Sequence, residues 1–356
     1  MGNYKNIAEK VEKRQRISTD ECLELLKSAD FFLLGRLANN LRLSSSPTDK
    51  VTYVVDRNIN FTNICVSECA FCAFYKNPES KEGYVLPDEE IFRKIEEAVK
   101  AGATQILMQG GLNPSLSIDY YEGLLRKIKS RFPVHIHSFS PPEIVFIAKT
   151  SEIHVKDVLL RLRDAGLDTI PGGGAEILVD RVRQEISPHK CNAGDWLDVM
   201  RRAHELGIGS TATMMFGHVE SLEERITHLL KIRELQDETG GFRAFIPWTF
   251  QWENTKIGKV TTSAIEYLRT VAISRIFLDN IKNIQASWVT QGPKISQLSL
   301  MFGANDFGGT MMEENVVRMA GASFRMTEKE IIELIKHAGF VPARRDTNYN
   351  VLEVMS

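Results

Sequence analysis

The chain opens on helical periodicity. Residues 3 to about 45 read as helices. Ser18-Thr-Asp-Glu21 has the form of a capping box, Leu23, Leu25 and Leu26 follow it, and Phe31, Phe32, Leu33, Leu34, Leu37 and Leu41 make an apolar stripe. Ser44-Ser-Ser-Pro-Thr48 reads as a turn or linker. From Val51 the pattern changes to short apolar runs alternating with amphipathic stretches. Strands are expected at 53–60, 104–108, 134–139, 167–170, 209–216, 243–248 and 283–289, with an eighth strand end near 303–307. Helices are expected at 88–100, 119–131, 195–206, 222–237 and 262–281, with another opening at Ser140-Pro-Pro-Glu143.

Strand and helix in such regular alternation mean parallel βαβ units. Six to eight of them in this length predict an α/β fold, a (β/α) TIM-type barrel of six to eight parallel strands with a helical N-terminal lead-in. The expected division is a helical extension over 1–50, a barrel over 51–310, and a closing helix and tail over 311–356. The loops after the C-terminal ends of the strands would then carry the chemistry.

Composition narrows the picture little. Of 356 residues, 43% are apolar and 25% charged, and the net charge is −2, which gives no electrostatic reason to expect nucleic acid or a membrane surface as partner. No apolar run reaches eighteen residues, and the first residues lack the basic and apolar blocks of an export signal, so a cytoplasmic protein is expected.

The chemistry is concentrated after the first strand. Cys65, Cys69 and Cys72 stand in a C-x3-C-x2-C spacing, with Phe71 before the last of them. Soft thiolates suit iron–sulfur iron, and three of them hold three corners of a [4Fe–4S] cube. The fourth iron would lack a protein ligand, and an open metal position is where a reactant binds. Structural zinc ordinarily takes four ligands, often as two pairs, and the remaining cysteines, Cys22 and Cys191, do not supply a second pair nearby. Cys22 reads as a packed core thiol.

Glycines recur where strands end. Gln109-Gly110-Gly111 permits close approach of a ligand to the backbone, or is simply a tight βα turn. Pro171-Gly-Gly-Gly-Ala-Glu176 is a second such loop, with Glu176 expected at a helix opening, where it would complement the dipole or meet a ligand. Met214-Met-Phe-Gly217-His218-Val-Glu220 is a third. His135 and His137 share one face of their strand and are candidates for proton transfer, as are Asp306 and Glu313. Arg57, Arg344 and Arg345 are candidates for gripping a carboxylate.

The cysteine loop resembles that of the radical S-adenosylmethionine (SAM) superfamily. Asp56–Cys65, His135–Glu143, Pro171–Glu176, Phe245–Gln251, Ala286–Lys294 and Gly303–Glu314 are similar to the group of futalosine-pathway menaquinone enzymes and the deazaflavin (F420 precursor) synthase subunit. Pro247-Trp-Thr-Phe-Gln251 and Ser287-Trp-Val-Thr-Gln-Gly-Pro293 most resemble its cyclases. The resemblance implies a [4Fe–4S] cluster on the three cysteines and SAM against Phe71, Gln109, Gly110, Gly111, Glu176 and Gly217. It also implies a nucleoside-derived substrate and an external one-electron donor of flavodoxin or ferredoxin type. The implied reaction is ring closure: a 5′-deoxyadenosyl radical takes the ribose C4′ hydrogen, and the carbon radical adds to a benzoate ring. A sibling enzyme on another substrate would share these features. A non-catalytic iron–sulfur carrier would need no glycine-rich strand ends and normally brings a fourth cysteine.

Overall fold

The computed structural model describes residues 4–45 and 49–355. Part of the expected turn, residues 46–48, lies outside the described residues. Three helices, Tyr4–Glu12, Thr19–Ser28 and Phe31–Ser45, make the lead-in. Ser18 accepts from the Glu21 amide and Glu21 reaches back to the Ser18 amide, so the capping box forms as expected. Of the apolar stripe, Leu34 and Leu37 are buried, whereas Phe32 is 76% exposed. Adjacent helical positions diverge around the axis, and Phe31 takes the inward place, its ring tilted 34° against that of Phe302 at 4.7 Å.

The strands are β1 (Lys50–Val54), β2 (Asp56–Ile59), β3 (Gln105–Met108), β4 (His135–Ser138), β5 (Ser210–Phe216), β6 (Phe242–Thr249), β7 (Asn283–Ile284), β8 (Asp306–Gly309), β9 (Val341–Arg345) and β10 (Val351–Val354). β2, β3 and β4 pair in parallel, as do β5, β6 and β7. Single bridges at Thr169 and Ile170 join β4 to β5, and Gln285 joins β7 to β8 at Asp306. β8 pairs with β1, which runs through Val55 into β2. The ring is therefore closed, with eight strand positions, and is the upper limit of the expected range.

Two strand positions are thinner than the sequence pattern suggests. The expected strand at 167–170 survives as the bridges at Thr169 and Ile170, because Pro171 and three glycines follow it. The expected strand at 283–289 ends at Ile284, and Trp288 opens a helix to Ser299, kinked at Gly292 with φ +74 before Pro293. The helix at Asp88–Lys100 is preceded by Pro87 at its N-cap rather than capped by Asp88.

The chain end takes a more organised form than an extended tail. After the helix Glu328–His337, β9 pairs in parallel with β1 and β10 pairs antiparallel with β9. The bend at Val55 makes this possible: β1 meets β9 below it, and β2 meets β3 above it. Arg345, Thr347 and Tyr349 thereby reach the lower end of the barrel, where Thr347 Oγ1 donates to Gln105 Oε1 at 2.6 Å and the Arg345 guanidinium covers the Tyr349 ring at 3.8 Å. Among the described residues no helix is long and apolar enough to cross a membrane.

Candidate active site

A cavity of about 400 Å³ runs from the cysteine loop down the barrel lumen to the chain end. Its wall follows from strand alternation. Asp56 and Asn58 of β2 and Asn60 just past it face the lumen, as do Gln105, Leu107 and Gln109 from β3 and its end, His137 of β4, and Thr211 and Thr213 of β5.

Cys65, Cys69 and Cys72 line the upper end. Their loop is held by its own backbone: the Cys65 amide donates to Lys76 O, the Lys76 amide to Asn63 O, and the Val66 amide to Leu112 O. The Ser67 amide lies 3.4 Å from Cys65 Sγ and its hydroxyl 3.2 Å from Cys69 Sγ. Burial raises the Cys65 thiol and pushes Cys72 up to about 11, so metal binding would have to displace their protons. Among the described residues no three His, Cys, Asp or Glu side chains could hold a single metal ion. A cube does not ask for that convergence, because each thiolate takes its own iron. Of the other two cysteines, Cys22 is buried in a lead-in helix, and Cys191 lies off the cavity wall with its thiol 3.8 Å from Arg183. The donor set fits a cluster with one iron left to an exogenous ligand.

Gly110 and Gly111 serve two ends. A Cβ on Gly110 would lie 2.5 Å from Phe61, and one on Gly111 2.1 Å from Ile64 O, so both are needed for the cysteine loop to seat. Their amides are engaged, Gly110 with Glu143 Oε1 at 3.0 Å and Gly111 with Thr62 O at 3.1 Å. What this segment can offer a ligand is its carbonyls, which suit an ammonium donor. Gln109 and Phe71 are on the same wall.

Glu176 does not open a helix. The next helix begins at Asp180, and Glu176 sits in the loop with φ +39, bonded by Lys190 at 2.7 Å. The Lys190 ammonium also lies 5.0 Å from the centre of the Phe71 ring. Burial alone would lower Lys190; Cys69 and Glu176 more than offset it, and the ammonium is held above its ordinary range. Gly217 lies off the cavity wall. Its amide donates to Glu220 at 2.6 Å, and its φ of +85 and the approach of Thr262 account for glycine there.

The acid candidates separate in the same way. Asp306 is paired with Arg345 through two bonds of 2.6 and 2.9 Å and with Thr52, and Glu313 is held by Arg57, Lys94 and Asn315. Neither lines the cavity. Arg57 and Arg345 are committed to Glu313 and Asp306, and Arg344, paired with Glu353, lies off the cavity wall. His137 lines the cavity and His135 stands behind it.

Three wall residues were not singled out from the sequence. Glu143 accepts from the Ser140 amide and hydroxyl and from the Gly110 amide, and burial pushes its carboxyl up to about 7. Its only sequence signal is the Ser140-x-x-Glu143 capping pattern. Lys190 is in a loop without periodicity. Asn58 is 4% exposed and its Oδ1 has no hydrogen-bond partner, an acceptor set in the cavity wall for a ligand donor.

A family described as "Radical SAM superfamily" matches residues 59–232, and one described as "CofH/MqnC C-terminal region" matches 239–356. A cyclic dehypoxanthine futalosine synthase of Halalkalibacterium halodurans is 48% identical over 97% of this chain and 94% of its own. A 5-amino-6-(D-ribitylamino)uracil–L-tyrosine 4-hydroxyphenyl transferase of Methanosarcina acetivorans is 47% identical over 96% and 92%. Among solved structures, methylornithine synthase (PylB) superposes with a TM-score of 0.75 at 19% identity, covering 95% of this chain and 97% of its own. The hydrogenase maturase HydG of Carboxydothermus hydrogenoformans gives 0.77 at 17%, covering 97% and 80%. At those identities the structures speak to the barrel alone.

Proposed function

This chain belongs to the radical SAM superfamily, in the branch with the CofH/MqnC C-terminal region, and is an enzyme that uses a [4Fe–4S] cluster and SAM; from that premise we propose that it closes the ring of dehypoxanthine futalosine in menaquinone biosynthesis. The observation that carries the choice is where the cyclase-like stretches fall. Trp248 of Pro247–Gln251, and Ser287, Trp288, Val289 and Thr290 of the second stretch, all line the cavity. The stretches that resemble cyclases thus border the place a substrate would occupy, which supports the reading.

When bound, the cluster and SAM supply a carbon-centred radical able to take a hydrogen atom from the ribose. The chain's own groups do the placing. Cys65, Cys69 and Cys72 would hold the cluster, and the carbonyls of Gly110 and Gly111 would accept from the methionine ammonium. Gln109, Glu176 and Phe71 would complete the SAM wall, with Lys190 balancing Glu176. Gly217 would act only by shaping the loop after β5. The Asn58 amide would meet a ribose hydroxyl. The indole rings of Trp248 and Trp288, the second fixed by a 3.0 Å bond to Gly309 O, would cover the substrate and exclude water.

Anaerobic protein with cluster, reductant and SAM, given dehypoxanthine futalosine, is expected to release 5′-deoxyadenosine and a cyclised product lighter by two hydrogens. The near-equal identity to the transferase supports a second reading, tested in the same assay with L-tyrosine and 5-amino-6-(D-ribitylamino)uracil. Adduct formation there, with no cyclisation, overturns the first.

A further inference from the structure

Two histidines end on one hydroxyl. His135 and His137 leave β4 on the same face, and His135 Nε2 lies 2.8 Å and His137 Nδ1 2.7 Å from Thr169 Oγ1. A hydroxyl holds one proton, so it donates to one ring and accepts from the other. The chain of three therefore has two forms of opposite sense. In one of them His137 donates from Nδ1 to Thr169, Thr169 donates to His135 Nε2, and His137 Nε2 presents a bare lone pair.

The cavity wall includes His137 and not His135, and with Nδ1 taken by Thr169 the nitrogen left for a ligand is His137 Nε2. The carboxylates on the wall are otherwise engaged. Asp56 accepts from Gln105 and the Met311 amide, Glu143 from Ser140 and Gly110, Glu176 from Lys190, and Glu314 from the amides of Val316, Val317 and Arg318. Burial keeps both rings neutral, His135 at about 4 and His137 at about 3, so a proton received would be passed on. The charged groups around the pair are Asp168, Arg243, Lys129 and Asp346 toward His135, and Arg243 and Arg345 toward His137.

We propose that His137 is the catalytic base of this site and that Thr169 and His135 relay its proton out of the lumen. The proposal rests on the ring-closing reading. Addition of the ribose carbon to the benzoate ring leaves a ring carbon carrying both its hydrogen and the new bond. That C–H bond breaks: the proton goes to His137 Nε2, and the bonding pair stays in the ring. The surplus electron leaves to a one-electron acceptor, an oxidised iron–sulfur centre. His137 gives its Nδ1 proton to Thr169 Oγ1, which gives its own to His135 Nε2. His135 gives the extra proton to solvent, and water entering the lumen after product release exchanges the ring protons back to the starting form.

The test compares wild type with Thr169→Val, Thr169→Ser and His137→Gln as cluster-loaded enzymes, measuring 5′-deoxyadenosine and cyclised product separately from pH 6 to 9. Thr169→Val and His137→Gln are expected to release 5′-deoxyadenosine within about 3-fold of wild type while product formation falls roughly 100-fold, the scale of general base catalysis. KM should hold within about 2-fold, and product should recover in Thr169→Val as pH rises. Thr169→Ser should stay coupled. Unchanged coupling in Thr169→Val, or a loss in His137→Gln that resides wholly in KM, overturns the proposal. Nitrogen-15 spectra of histidine-labelled protein read the chain without turnover. Linked ring tautomers that uncouple in Thr169→Val support it, and rings indifferent to that change refute it. No cyclised product from wild type would instead sink the ring-closing reading.

Discussion

A Cβ on Gly111 would stand 2.1 Å from the carbonyl oxygen of Ile64, the residue before Cys65. The glycine loop after β3 and the cysteine loop after β2 are thus one packed unit, with backbone as the obstacle rather than a yielding side chain. Gly111→Ala is expected to displace the cysteine loop. After anaerobic reconstitution its iron content and visible absorption should fall to a small fraction of wild type, with the barrel still folded by far-ultraviolet circular dichroism. Gly123 is the control. It lies inside the helix Ile118–Arg131 with nothing within 4 Å of an added Cβ, so Gly123→Ala should raise stability by about 0.5–1 kcal/mol and leave iron binding intact.

Removing the thiols should separate cluster from fold. The loop is tied by main-chain bonds such as Cys65 N to Lys76 O at 2.9 Å and Ala70 N to Ile186 O at 2.7 Å, which do not involve sulfur. The triple Cys→Ser variant at 65, 69 and 72 is expected to keep its thermal midpoint within a few degrees of the iron-free wild type, while losing iron and all SAM-dependent 5′-deoxyadenosine. A variant that still cleaves SAM would show that these thiols do not hold the cluster.

The Lys190–Glu176 pair gives a double-mutant prediction. Glu176 is buried at 5% and Lys190 largely so at 14%, so removing one partner strands a charge. Lys190→Met should cost about 3–5 kcal/mol, and Lys190→Met with Glu176→Gln should recover most of it. Urea midpoints measure this. Additive losses would mean that the two groups do not depend on each other.

The barrel and the cluster loop were legible because they are local patterns: alternating short apolar runs, three cysteines in eight residues, glycines after strands. Closure was not legible, because the fourth position has shrunk to Thr169 and Ile170, and β8 meets β1 from far along the chain, Thr52 beside Asp306 at a separation of 254 residues. The acids misled for the same reason. Asp306 and Glu313 have the residue type of a base, but Arg345 lies 39 positions from the first, and Arg57 and Lys94 lie 256 and 219 positions from the second. Sequence offers residue types; only the fold decides which of them are already neutralised. Lys190 and Asn58 fell on the other side of that rule, set on the cavity wall and unmarked in pattern.

The buried histidines set the acid limit of the fold. His137 and His228 are buried, and burial lowers both to about 3 from an ordinary value of 6.5. Between those values the unfolded chain binds the proton and the folded chain does not. Stability is therefore complete above pH 6.5 and is lost as pH falls, by about 1.4 kcal/mol per pH unit for each histidine. His135 and His204, each lowered to about 4 by burial, act in the same direction. Glu143 opposes them: its carboxyl is raised by burial from 4.5 to about 7, so between those values the folded chain binds more protons and acidification stabilises it. Four histidines against Glu143 leave the net sign destabilising. The urea midpoint should fall steadily from pH 6.5 to 5, and His228→Gln should flatten the slope by one histidine's share, since Leu178 N is that ring's one fixed donor at 3.0 Å. A midpoint that rises over this interval would mean that these rings are protonated inside the fold.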